Sequence, residues 1–250
     1  MMGDPSYVLE RIPAGARVLD VGGGAVPLAR ADVVLDVVER PTGPMRCVEG
    51  TQRNFEPWQW ISIDANSKEP WPIADKAFDF VFCSHVLEDI RDPLRVCGEI
   101  VRVGKAGFIQ TPSRANESTF GLQGTLFPGH MHHRWYFEDE GGVLTVTFKS
   151  PLLSDLPELA CHARGYGLEQ AMNFWWREDF HFVERPTLHR WQIVEDLVRF
   201  RAANDGLSQD WVSRQIAKYT PPFPTKLAPR VGTAIWRRVV TGAREMRRLV

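Results

Sequence analysis

The sequence predicts an α/β fold: a doubly wound, mostly parallel sheet with helices on both faces, plus a hairpin and a helical carboxyl-terminal appendage. Three observations lead there. Short apolar runs alternate with helical stretches through the first half of the chain. Those runs are nearly continuous in Val, Leu, Ile and Phe, as strands buried on both faces must be. One of them, Arg17 to Val21, carries an acid, Asp20, and runs straight into Gly22, Gly23 and Gly24. Open α/β sheets place their ligands at that end of a strand, and glycines there let the backbone approach without a Cβ in the way.

The elements follow in order. Residues 17–21 form a first strand and 32–38 a second, rich in valine. Only about ten residues separate them, too few for an ordinary crossover helix, and Pro27 further limits what helix fits. A short strand at 61–64 precedes a stronger one at 78–84, a helix over about 93–101 and a strand at 105–111 ended by Pro112. Residues 113–133, rich in Gly, Ser, Asn and His, read as a long loop of the kind that forms lids. Residues 134–140 and 143–149 flank Gly141 and Gly142 as a hairpin. An amphipathic helix is expected over 188–203, with Trp191, Val194, Leu197, Val198 and Phe200 available for one face. Pro221, Pro222 and Pro224 interrupt the chain before a basic helix at about 231–249. Trp175, Trp176 and Trp191, with Phe174, Phe180 and Phe182, read as core, with a minority left to line an acceptor pocket.

Composition narrows the function. A hydrophobic content of 44% and a charged content of 24% over 250 residues fit a globular protein with a sizeable core. A net charge of −1 argues against a general nucleic-acid binder. The four cysteines, Cys47, Cys83, Cys97 and Cys161, form no CxxC pair and read as reduced thiols. No apolar run approaches the ~20 residues of a membrane span, and the first sixteen residues lack a signal-peptide core, so a cytoplasmic protein is expected.

The strand with its acid and glycines resembles motif I of the class I S-adenosylmethionine-dependent methyltransferases. The resemblance continues through Asp64 and Ala65, through residues 70–81, and into Ser84, His85, Val86, Leu87 and Glu88, and covers roughly residues 15–115. It is closest to the type 11-like branch, which modifies small molecules, lipids and sugars. The resemblance implies a Rossmann-like sheet and S-adenosyl-L-methionine as cofactor. It implies that Gly22, Gly23 and Gly24 admit the methionine portion while Asp20 holds its ammonium, directly or through water. Asp36 would take both ribose hydroxyls, with Glu39 as a substitute. Asp64 would accept from the adenine amino group, and the Ala65 N–H would serve a ring nitrogen. Ser84 and His85 would face the methionine portion. Where the family commonly has a histidine after the glutamate, this chain has Asp89. Asp79 reads as structural.

A second cluster, Gly129 to Trp135, holds His130, His132 and His133. Adjacent histidines point in different directions on most backbones, and no nearby carboxylate or cysteine has ligand spacing, so no metal site is expected. A general base is the more attractive role, since neutral imidazole takes a proton from a hydroxyl near pH 7. His133 and His130 are the first candidates and His85 the next.

The expected organisation is a cofactor core over 1–115, a lid-like loop and hairpin over 116–150, and an acceptor or cap region over 151–250. The expected activity is O-methylation of a small molecule or glycan precursor, with N-methylation open. Arg230, Arg237, Arg238, Arg244, Arg247 and Arg248 would allow weak contact with an anionic membrane surface. Two alternatives compete. One is a non-catalytic binding or assembly protein that kept the fold. The other is an NAD(P)-linked oxidoreductase, disfavoured by Asp20 and by proline at position 27.

Overall fold

The computed structural model describes residues 6–122, 127–161, 171–187 and 189–219. The chain divides into two compact units, Met1–Pro186 and Thr187–Val250. The basic helix expected at 231–249, with its arginines, lies outside the described residues.

The first unit is built on a six-stranded sheet. Its strands are β1 (Val18–Val21), β2 (Val33–Asp36), β5 (Trp60–Ser62), β6 (Phe80–Ser84), β7 (Ala106–Pro112) and β10 (Ala171–Arg177), in the spatial order β10-β7-β6-β1-β2-β5. All neighbours are parallel except β10, which runs antiparallel to β7. The order reverses between β1 and β6. That reversal is a topological switch point, where sheets of this kind open a crevice for ligands.

Period-two alternation sorts the strand side chains into two cores. On one face lie Leu19, Val21, Val81, Cys83, Ile109, Phe174 and Trp176. Helix α2 (Pro93–Val103) covers it with Val96, Cys97, Ile100 and Val103, and the hairpin of β8 (Trp135–Asp139) and β9 (Val143–Phe148) adds Phe137, Leu144 and Val146. On the other face lie Val18, Phe80, Phe82 and Phe108. It is covered by residues of α1 (Ser6–Leu9) and the turn after it, and by a small hairpin of β3 (Met45–Arg46) and β4 (Gln52–Arg53). Phe108 is fully buried, stacked on Phe82 at 5.9 Å and against Trp175 at 4.5 Å.

Several elements differ from expectation for physical reasons. No helix joins β1 to β2. Instead the segment after Gly24 is tied down by its backbone: Leu28 N–H donates to Asp20 Oδ2 (2.7 Å) and Ala29 N–H to Glu49, while Arg53 Nη1 donates to the carbonyls of Ala29 and Ala31. The β3–β4 hairpin, with Cys47, Glu49 and Arg53, therefore occupies part of the face a crossover helix would cover. Among its described residues the stretch 113–133 contains one helical turn, α3 (Arg114–Glu117), capped by the Ser113 hydroxyl. Residues 171–177 join the main sheet, and β11 (His181–Glu184) adds a parallel strand to β9. Of the aromatics expected in the core, Phe174, Trp176 and Phe180 are buried there. Asp79 is structural, its carboxylate accepting from Arg17 N–H and Lys105 Nζ. A short α4 (Leu152–Asp155) follows the hairpin, and all four cysteines are buried.

In the second unit α5 (Arg190–Asp205) buries Val194, Leu197, Val198 and Ala202 and ends on Gly206 at φ +68°, the left-handed cap that glycine accepts freely. It is followed by α6 (Gln209–Tyr219), with Arg201 lying over the Trp211 ring. No described helix is long and apolar enough to cross a membrane. Because Phe108 anchors one whole face of the sheet, Phe108→Ala is expected to lower unfolding free energy by about 3–5 kcal/mol, measured by urea denaturation.

Candidate active site

Strand register alone gathers most of the motif residues at one edge. Val21 stands opposite Leu35 on one side and Cys83 on the other, so Gly22, Asp36 and Ser84 leave the sheet together. Asp36 stands opposite Ser62, which puts Asp64 and Ala65 just beyond the same edge. His85 N–H is held by the Gln110 carbonyl, which keeps the end of β6 aligned with β7.

The glycines are required by what surrounds them. Gly22 has φ +80°, and a Cβ there would lie 2.1 Å from Val86 Cγ2. A Cβ on Gly23 would lie 2.3 Å from Asp20 Oδ2, and one on Gly24 2.5 Å from the Asp36 carboxylate. The loop is thus laid directly over two carboxylates. Asp20 is 2% exposed, lying under the loop rather than in the open. Burial pushes its carboxyl up to about 7; the Leu28 N–H counters this, while the charges of Glu49 and Asp36 add to it. Asp36 accepts Gly24 N–H on Oδ2 and Val38 N–H on Oδ1, both at 2.8 Å. Each oxygen keeps a second lone pair for a ligand hydroxyl. Asp64 is exposed and caps its own turn through Asn66 N–H, and Ala65 sits in that turn.

Ser84 Oγ donates to Gln110 Oε1. His85 occupies φ +55°, a left-handed conformation rare for a residue with a side chain and often found at working sites. Its Nδ1 lies 3.3 Å from Glu88 Oε1. Glu88 is 1% exposed, and neither of its carboxylate oxygens takes part in a hydrogen bond. A groove of about 860 Å³ at the opposite edge, lined by Arg11, Lys105 and Trp175, contains none of these motif residues.

The histidine cluster closes on a carboxylate that local spacing could not reveal. Glu117, on α3 and fully buried, receives His130 Nδ1 at 2.6 Å and His133 Nδ1 at 2.9 Å on one oxygen. Lys149 Nζ meets its other oxygen at 2.5 Å. Burial alone would raise the Glu117 pKa, yet the His133 hydrogen bond and the Lys149 charge hold it down at about 2. Burial would lower that of His133, but Glu117, Glu88 and Asp89 carry it above the usual imidazole value. On its far side His133 Nε2 lies 3.7 Å from Asp89 Oδ1. Sequence reading placed His130 and His133 at this edge but missed Glu117 and Lys149, which come from 13 or more residues away in the chain. Its objection that no carboxylate stands near the histidines fails, because folding supplies two.

Asp20 gives a testable pH dependence. Its folded value lies above its ordinary 3.8, so the neutral form is favoured on folding and stability falls as pH rises from about 4 to about 7. Asp20→Asn removes that loss, on the order of 4 kcal/mol at most. Thermal melts across this range should show a flatter pH profile for the variant than for the wild type.

Residues 19–109 match the family model described as a methyltransferase domain. No curated protein matches the chain. Solved structures similar to it include an S-adenosylmethionine dependent methyltransferase from Mesorhizobium loti, 14% identical over 67% of this chain and 76% of that one, with a TM-score of 0.33. Another, from Methanosarcina mazei, is 13% identical over 56% and 74%, with a TM-score of 0.34. A third, from Aquifex aeolicus, is 20% identical over 43% and 62%, with a TM-score of 0.28. The chain spans about half the length of the first two solved structures it matches, 51% of each. Residues 19–109 of this chain are a methyltransferase domain.

Proposed function

We propose that this chain transfers the methyl group of S-adenosyl-L-methionine to a hydroxyl oxygen of a small molecule or glycan precursor. The observation that carries the reading is the convergence of the Gly22–Gly24 loop, Asp36 and the His85–Glu88 pair at one sheet edge. The residues fit the cofactor. Gly22 and Gly24 give their N–H groups to the Leu35 carbonyl and to Asp36, which holds the loop flat over two carboxylates that favour a cationic ligand. Asp36 offers two oxygens to a ribose diol, and Asp64 with the Ala65 backbone stands where an adenine edge would lie. Ser84 and His85 would flank the methionine portion. Asp20, tucked under the loop, acts by fixing it, and reaches an ammonium through water.

When bound, S-adenosylmethionine supplies an electrophilic methyl on a sulfonium leaving group. The protein's share is then to hold the acceptor oxygen in line and to take its proton. Three histidines are candidates. His133 and His130 both have Nδ1 committed to Glu117, and His133 is almost closed to solvent on its other side. His85 is about one-third exposed, and the buried Glu88 carboxylate stands 3.3 Å from its Nδ1. We therefore assign the proton transfer to His85, with Glu88 positioning it. The stretch 116–150 would select the acceptor.

The shortened link between Gly24 and Asp32, with Asp89 where the family commonly has a histidine, favours one second reading, a binding protein that kept the fold without turnover. Calorimetric titration with S-adenosylmethionine separates the two: saturable binding is expected, and none at millimolar ligand would favour the second. With methyl transfer from labelled cofactor as the assay, His85→Gln should reduce kcat about 10²–10⁴-fold while cofactor affinity changes far less. Wild-type turnover in that variant would remove His85 from the proton-transfer role.

A further inference from the structure

We propose that Asp89, His132 and His133 form a binding site for one divalent transition-metal ion of the zinc class. Their ligand atoms lie within 4.8 Å of one another. His132 Nε2 is 3.8 Å and His133 Nε2 is 3.7 Å from Asp89 Oδ1. Around a tetrahedral ion with bonds of about 2.0–2.2 Å, ligand atoms stand roughly 3.4 Å apart, so shifts of a few tenths of an ångström close these pairs onto an ion. His132 and Asp89 have side chains 60% and 41% exposed and can make them.

His133 has the support that a metal-binding imidazole usually has. Its Nδ1 is held at 2.9 Å by the buried Glu117, which Lys149 fixes in turn, so Nε2 is aimed at Asp89. A carboxylate behind the ligating histidine is the commonest way of orienting it. A further observation calls for a cation: Asp89 Oδ1 is buried and accepts no hydrogen bond.

Two imidazoles and one carboxylate suit zinc-class ions; magnesium and calcium prefer all-oxygen sites. Three protein ligands would leave a fourth position open. The neighbouring set of Glu117, His130 and His133 is a poorer choice, because the Lys149 ammonium already sits on Glu117 at 2.5 Å. The turn at 131–132 overcomes the usual divergence of adjacent histidines and brings the His132 and His133 rings to 4.5 Å.

The site stands apart from the methyl-transfer reading, and its test needs no turnover. The full chain, stripped with a chelator, is titrated with Zn²⁺ by calorimetry and with Co²⁺ by visible absorption. One ion per chain and a tetrahedral cobalt spectrum are expected. Asp89→Asn and His132→Ala, whose circular dichroism should match wild type, should each weaken binding by about tenfold or more. Absence of saturable binding, or either variant binding like wild type, overturns the proposal.

Discussion

The contact on which the rest depends is that of a glycine loop with two carboxylates. Asp20 ends β1 and Asp36 ends β2, and the chain between them passes so close that a Cβ at Gly23 or Gly24 would collide with one or the other. Every other feature of the edge follows from that closeness. The loop can lie flat because Asp20 accepts Leu28 N–H and Asp36 accepts Gly24 N–H. The carboxyl of Asp20 is costly to ionise there, since burial outweighs its hydrogen bond. A cationic ligand at this edge would relieve the concentration of negative charge, and an anionic one would aggravate it. The edge thus discriminates by sign before any single contact to a ligand is considered.

Behind the turn after β6 lies a second centre of charge. Glu117 gathers two imidazoles and an ammonium in a buried setting, where removing a single partner would strand the others. That makes the segment carrying the histidines a fixed part of the fold, although it reads as a loop. Arg134 N–H donating to the Glu88 carbonyl ties it to the turn bearing His85. The two centres therefore meet along residues 85–89, where His85 and Glu88 face one and Asp89 the other.

Much of the fold was legible because buried parallel strands leave continuous apolar runs, and β1, β2, β6 and β7 each have one. The hairpin at 135–148 announced itself through Gly141 and Gly142 and the alternation after them. The main sheet's last strand was harder to read: Ala171 to Arg177 has no alternation, and its aromatics fit a core without saying which element carries them. That Gly22, Asp36, Asp64 and Ser84 share one sheet edge was legible because they are spaced by strand register. The histidine cluster was only half legible. Its imidazoles are adjacent in sequence, but Glu117, Lys149 and Asp89 reach them through tertiary packing, which no local pattern encodes. Asp36 follows Asp20 by only sixteen residues, and the tied-down segment replacing a crossover helix explains how so short a link spans two adjacent strands.

The central claim is that the carboxyl edge around Gly22–Gly24 receives the cofactor. Amide chemical-shift mapping during titration with S-adenosylhomocysteine addresses it most directly. The account predicts the largest shifts at residues 22–24, 36–38, 64–66 and 84–86, with the groove around Arg11, Lys105 and Trp175 unaffected. Shifts centred on that opposite groove, or none at saturating ligand, would contradict it.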